Sequence, residues 1–192
     1  MKQSMQILTS SESNEWYTPP EIISLVKEAL GEIDLDPASN AVANQVIGAK
    51  KYFSERGLEL TWQGSVFCNP PYGTGGMQGK FLAKALSEYM QTNISQCIIL
   101  TKSVPGYLWW DDMFHVNWMG DICITYDRIS FYKPEWYHNG KIIYPKNSKS
   151  KTASTFWYLG SQPELFEKVF SRLGMVLNTQ LGSITEYNNG RN

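Results

Sequence analysis

The sequence predicts a three-layer α/β fold built on a mostly parallel sheet. Three observations carry that expectation. An apolar, β-leaning run, Ser65-Val66-Phe67-Cys68, feeds a rigid turn, Asn69-Pro70-Pro71-Tyr72, then the glycine-rich Gly73-Thr74-Gly75-Gly76 and a helical run near Lys80. Strand, turn, loop and helix in that order is the unit that builds parallel sheets. A shorter apolar run, Ile33 to Asp36, ends in a turn of its own, Asp36-Pro37-Ala38-Ser39. Helical and β-like runs keep alternating as far as Leu173. At 192 residues the chain is most simply one domain over residues 15–187, with flexible ends at 1–14 and 188–192. Seven Trp and eleven Tyr exclude a disordered chain.

Thr18-Pro19-Pro20-Glu21 reads as a helix start, with Thr18 as N-cap, Pro19 in the first turn and Glu21 completing a capping box. Ile22, Leu25, Val26, Ala29 and Leu30 follow at helical spacing, and Gly31 offers a stop. Trp16 and Tyr17 either staple onto this helix or cover an apolar surface. After the Asp36 turn, residues 40–53 have room for one short helix and an extended piece, and Leu58-Glu59-Leu60 for a short strand. Only thirty-two residues separate Asp36 from Asn69, so this half of the sheet is expected to be abbreviated.

Beyond the prolines, Phe81, Leu82, Ala85, Leu86, Tyr89 and Met90 form a helical stripe. Residues 96–101 read as a buried strand. Trp109, Trp110, Phe114 and Trp118 read either as core or as an aromatic wall for a base. Residues 121–126 and 128–132 read as two β runs, and 154–159 as another strand. Ser161-Gln162-Pro163-Glu164 opens a helix that Gly174 is expected to end, and residues 175–187 suit a hairpin.

Net charge is only −1, yet it is unevenly placed. Residues 128–151 hold six Lys/Arg against Glu135 alone, with Trp136, Tyr137, Tyr144 and Asn147 interleaved. Cations mixed with rings suit a DNA-contacting loop, and a solvated lysine-rich loop is the plain alternative. Cys68, Cys97 and Cys123 are odd in number, lack CxxC spacing and sit in apolar runs, as buried thiols of a reducing compartment do. Two separated histidines suggest no metal site. The N-terminus carries no signal-like segment and no apolar run reaches membrane-spanning length, so a cytoplasmic protein is expected.

Two consecutive prolines fix φ and remove two backbone donors, leaving carbonyls and the Asn69 side chain as rigid acceptors beside the Tyr72 ring. That combination suits gripping a planar, amino-bearing base. Asn69-Pro70-Pro71-Tyr72 resembles the catalytic motif of S-adenosylmethionine-dependent amino-methyltransferases acting on adenine N6. The wider pattern is similar to the phage-type DNA N6-adenine methyltransferases of the Dam family. It is carried by Glu15 to Pro20, Asp34 to Ser39, Leu58 to Trp62, Val66 to Gly73 and Arg128 to Phe131, and covers most of the chain.

The resemblance implies a Rossmann-like methyltransferase fold and a cofactor site of Trp16, Thr18, Pro19, Asp36, Pro37, Ala38 and Ser39. In it the Thr-Pro-Pro segment lies over the methionine end of S-adenosylmethionine. Ala38 and Ser39 replace the usual glycines of the cofactor loop. The implied catalytic residues are Asn69, Pro70, Pro71 and Tyr72, with Phe131 on the opposite face of the base. Lys146, Lys149 and Lys151 are the expected DNA contacts. With no insertion between the two motifs, a short or relaxed target sequence is expected. Other amino substrates (cytosine N4, RNA, protein glutamine) share the motif, and a non-catalytic DNA-binding or anti-defence protein could keep the fold.

Overall fold

The computed structural model describes residues 16–72, 76–138, 141–143 and 150–178. The expected flexible ends, the glycine-rich residues 73–75, Tyr144, Lys146, Asn147, Lys149 and the far side of the C-terminal hairpin lie outside the described residues.

Helix α1 (Pro20–Leu30) buries Ile22, Ile23, Val26, Ala29 and Leu30 on one side, and Gly31, at φ 75°, closes it by donating its N–H to Lys27 O at 2.8 Å. Its start differs from the expected cap. The N-cap is Pro19, extended at ψ 152°, with no side-chain cap bond. The physical reason lies in Pro20, whose ring disfavours the α region for the residue before it. The helix therefore begins one residue late, and Thr18 is released from capping.

Strand β1 (Leu35–Asp36) is followed by α2 (Ala41–Ile47) and β2 (Lys51–Tyr52), the short helix and extended piece expected there. Asn40 caps α2, its Oδ1 accepting from the N–H groups of Val42 and Ala43. Residues 58–60 form a turn, not the expected strand. Strand β3 (Gly64–Cys68) leads to the Asn69 turn, α3 (Met77–Met90) and β4 (Ile94–Lys102). Helix α4 (Leu108–Asp112) runs into one π turn before β5 (Ile122–Thr125).

Residues 128–132 are not a strand; they contribute a single antiparallel bridge, Tyr132 to Tyr17. A 3₁₀ turn, Pro134–Trp136, precedes a small hairpin of β6 (Tyr137–His138) and β7 (Lys141–Ile142). Strand β8 (Ser154–Leu159), α5 (Pro163–Phe170) and β9 (Gly174–Leu177) complete the described chain. Gly174 opens β9 instead of ending the helix. A Cβ there would lie 2.1 Å from Ile124 O, so the glycine permits close strand approach.

The main sheet has the order β2-β1-β3-β4-β8-β5-β9. The expected mostly parallel pairing holds for its first half only. The β2/β1, β1/β3 and β3/β4 pairs are parallel, while β4/β8, β8/β5 and β5/β9 are antiparallel. Strands β4 and β5 run the same way, as do β8 and β9 across α5. The chain interleaves the two pairs, and each strand thereby meets a neighbour of opposite direction.

Helices cover both faces of the sheet, and alternate residues of β4 feed the two cores. Ile98 and Leu100 join α1, α2 and α5 on one side, whereas Cys97 and Ile99 join α3, Trp110 and Trp118 on the other. The three cysteines are free and buried. Among the described residues no helix is long and apolar enough to cross a membrane.

Candidate active site

From β1 the chain steps outward to β2 and then returns to β3 on the opposite flank. Strand order therefore reverses between β1 and β3, which pair through Leu35 and Val66. Such a switch point opens a crevice past the carboxyl ends of its strands. Asp36 ends β1 and Asn69 directly follows β3, so both sequence motifs meet there.

A cavity of about 430 Å³ occupies this crevice. Its lining brings together Trp16, Thr18, Asp36, Pro37, Ala38, Ser39, Asn69, Pro70, Pro71 and Tyr72. Pro19 is buried at the head of α1 and is not part of the lining. Residues 53–59, given no site role in the sequence, form another wall. There a Cβ on Gly57 would fall 2.0 Å from Pro37 O, and Trp62 Nε1 donates to Gly57 O at 2.7 Å. The wall is thus packed directly on the Asp36 turn, and Arg56 pairs with Glu59 at its rim.

The 16–18 segment is fixed over the cavity by three kinds of contact. Tyr17 N–H donates to Tyr132 O and Tyr132 N–H donates back to Tyr17 O. Asn40 Nδ2 donates to the Tyr17 hydroxyl at 2.8 Å. Asn69 Nδ2 donates to Trp16 O at 3.0 Å. This last bond orients the Asn69 amide and leaves its Oδ1 buried without a partner among the described residues. Thr18 Oγ1 and Ser39 Oγ are buried and unpartnered in the same way. Unsatisfied buried oxygens are uncommon in folded proteins, and these three belong to residues that line one cavity.

Asp36 is 1% exposed, and burial pushes its carboxyl up to about 7. The Ala38 N–H, 3.0 Å from Oδ1, opposes that shift. The Ser39 hydroxyl opposes it less, being close enough to favour the charge without the geometry of a full hydrogen bond. An acid so placed becomes fully ionised when a cation or strong donor arrives. Burial likewise drives the Tyr72 phenol well above its ordinary range, so the ring acts as a neutral plate.

A family model of DNA N-6-adenine-methyltransferases (Dam) matches residues 6–158. The chain belongs to this family. DNA adenine N6 methylation is the activity that the family name carries. No curated protein matches the chain.

In this Dam-family chain, Phe131 does not face Tyr72 across a slot for a base. It is 4% exposed, lies outside the cavity lining and meets the Tyr72 ring edge-on at 5.9 Å and 78°. Its position braces the ring. Trp110 and Trp118 pack around Trp157 in the core on the α3 side, so the tryptophan-rich stretch is core rather than an aromatic wall. Lys151 is exposed ahead of β8, whereas Lys146 and Lys149 lie outside the described residues.

Two cations stand beside the cavity's rings: Lys133, counted in the sequence only as part of the basic stretch 128–151, and Lys102, which was given no role. Lys102 Nζ lies 5.0 Å from the Tyr72 centroid and Lys133 Nζ 5.5 Å from that of Trp16. Lys102 had a signal, since it ends a strand neighbouring β3. Lys133 owes its place to the Tyr17–Tyr132 bridge, which no local pattern announces.

Proposed function

We propose that the protein transfers a methyl group from S-adenosylmethionine to the N6 amino group of adenine in DNA, the adenine being swung out of the duplex into the cavity. The observation that carries this reading is the Asn69 amide, anchored at its nitrogen by Trp16 O and unpartnered at its buried oxygen, beside the Asp36 turn. Bound S-adenosylmethionine supplies an electrophilic methyl group on sulfur. The cavity volume, the ionisable Asp36 and the unpartnered Thr18 and Ser39 hydroxyls fit that cofactor. Trp16, Pro37 and Ala38 add the apolar part of its site, and Pro19 sets the path of the segment above it.

The exocyclic amine of adenine is a weak nucleophile because its lone pair conjugates into the ring. In this reading Asn69 Oδ1 and the Pro70 carbonyl each accept one N6–H, drawing the nitrogen towards tetrahedral geometry and freeing the lone pair. Pro71 stiffens the turn and Tyr72 stacks the base. Rate enhancement then comes from orientation and fixed dipoles, and no strong base is needed, because the N6 proton is lost to water only after the methyl group has been transferred. The switch-point crevice supports a Rossmann-like reading of the fold and a single methyltransferase-like domain over residues 15–187.

Between the two motifs the chain spends its residues on α2, β2 and the cavity wall, which leaves no recognition element there. A short or relaxed target sequence follows, with phosphate contacts from the basic stretch through Lys146, Lys149 and Lys151. The working compartment in this reading is the cytoplasm, the host's if the chain is phage-encoded. The two-residue strands β1 and β2 favour a non-catalytic DNA-binding relative, but the intact cavity with its unpartnered oxygens favours the enzyme.

The test is incubation with tritiated S-adenosylmethionine and separate DNA, RNA and protein acceptors. Label recovered as N6-methyladenine from DNA is expected. Label in cytosine, RNA or glutamine, or in none of them, overturns the assignment.

A further inference from the structure

The two lysines over the cavity's rings form a pair. Both are half-buried, and among the described residues neither pairs with a carboxylate. Each ammonium is held by the face of a ring that lines the cavity, a contact that positions the charge without neutralising it. The two come from unrelated parts of the fold. Lys102 ends β4, with its N–H donated to Gln78 Oε1 at 2.9 Å. Lys133 follows Tyr132, which the bridge to Tyr17 fixes beside Trp16. Their rings are joined through one residue: Asn69 bonds Trp16 O and lies three positions before Tyr72. Both charges therefore stand over rings that line the cavity bordered by Asn69.

A base that enters such a cavity leaves its sugar–phosphate backbone outside, with one phosphate on each side of the nucleotide. We propose that Lys102 and Lys133 are a two-point phosphate clamp, each taking one of the phosphates that flank the extruded adenosine. This rests on the adenine reading above and deepens it. Both are positioning residues, since neither touches the reacting nitrogen. The clamp differs from the general attraction of the basic stretch because it concerns two defined phosphates. Lysine serves here as a point charge on a flexible stem, able to trade the face of a ring for a phosphate oxygen as the base enters.

The experiment uses the full chain with S-adenosylhomocysteine and duplexes containing a single adenine position filled by 2-aminopurine. In one duplex both phosphates flanking that position are uncharged methylphosphonates. Binding and 2-aminopurine fluorescence are followed against salt, and methyl transfer to the matching adenine duplex is measured separately. Each phosphate contact contributes about 0.9 to the slope of log K against log salt. The wild type is expected to lose about 1.8 of slope and much of its fluorescence rise on the neutralised duplex. Lys102→Gln and Lys133→Gln should each lose about 0.9 on the charged duplex. The double variant should lose both contributions and be indifferent to neutralisation.

Lys→Arg at either position should restore the slope, which a merely structural role would not predict, and S-adenosylhomocysteine affinity should stay unchanged. A wild-type slope in the double variant, or an equal penalty from methylphosphonates in variant and wild type, overturns the clamp. Should the glutamine variants fail to fold, the wild type on the neutralised duplex decides alone: unchanged slope and fluorescence reject the proposal. Absence of methyl transfer with these binding effects intact rejects the catalytic reading and leaves the clamp standing.

Discussion

The two halves of the sheet use the same chain chemistry for opposite ends. In the antiparallel half, β8 is buried along its whole length, and Trp157, fully enclosed, donates its Nε1–H to Thr101 Oγ1 at 2.8 Å. Trp110 and Trp118 meet that indole edge-on. In the parallel half, β1 and β2 are two residues each, and their carboxyl ends open on a cavity bordered by unpartnered oxygens. One half fills its space and the other leaves space unfilled. The difference teaches where a ligand can act. Among the described residues both halves hold buried polar atoms without a partner, Trp110 Nε1, Trp118 Nε1 and Thr155 Oγ1 in one and Thr18 Oγ1, Ser39 Oγ and Asn69 Oδ1 in the other, but only the second set belongs to residues that line the cavity.

The sharpest way to break that division is Trp157→Ala. Removing an enclosed indole should cost about 3–5 kcal/mol of stability, measured by urea unfolding. The fraction still folded should keep normal cofactor affinity; a large loss of affinity would mean that the two halves are not separable. On the other side, Asn69→Ala should lower methyl transfer by about 10²–10³-fold, in the range seen when one aimed polar group is removed from a site. S-adenosylhomocysteine affinity measured by calorimetry should be nearly intact, because the lost acceptor acts only at the amine.

Asp36 gives a smaller, pH-dependent effect. Its carboxyl stands at about 7 in the folded protein against an ordinary 3.8. The folded state thus prefers the protonated acid. That contribution to stability is complete below the ordinary value and is lost as pH rises towards 7. A ligand needing the carboxylate behaves oppositely: its affinity should rise about tenfold per pH unit below 7 and level off above it. Asp36→Asn should flatten the profile, as isothermal titration at several pH values would show. A wild-type profile in Asp36→Asn would place the titrating group elsewhere.

The smallest effect carries the most information about the cost of the site. Thr18→Val keeps the shape but removes a buried hydroxyl that has no partner among the described residues. It should stabilise the free protein by about 1 kcal/mol and weaken cofactor binding. Thermal unfolding with and without S-adenosylhomocysteine reads both signs at once. A destabilised free protein would show that the hydroxyl is satisfied in solution.

Much of this was legible in the chain. The Asn69 turn and the Asp36 turn, each at the end of an apolar run, followed from local rules: prolines fix φ, apolar runs make strands, and both act over a few residues. The short helix at residues 41–47 and the abbreviated first half followed from the thirty-two residues between the motifs. The extent of β8 and the stripe of α3 followed from apolar patterning, except that Met90, expected in the stripe, is exposed.

Other features depended on partners distant in sequence. Local order gave parallel units, β4 with β5 and β8 with β9, yet their interleaving made half of the pairings antiparallel, because which strands become neighbours is a matter of global packing. Residues 128–132 have β composition but find only Tyr17 to pair with. Phe131 was expected against a base and is instead enclosed, since burying a ring in the core outweighs exposing it. The proline pair signalled a helix start, its second ring moves that start one residue on, and only the assembled cavity shows where the released threonine lies. The sequence by itself determined the acceptors and the turns that hold them. The tertiary structure decided which oxygens remain unpartnered and which lysines reach the rings, because those properties belong to contacts between segments that the chain brings together only on folding.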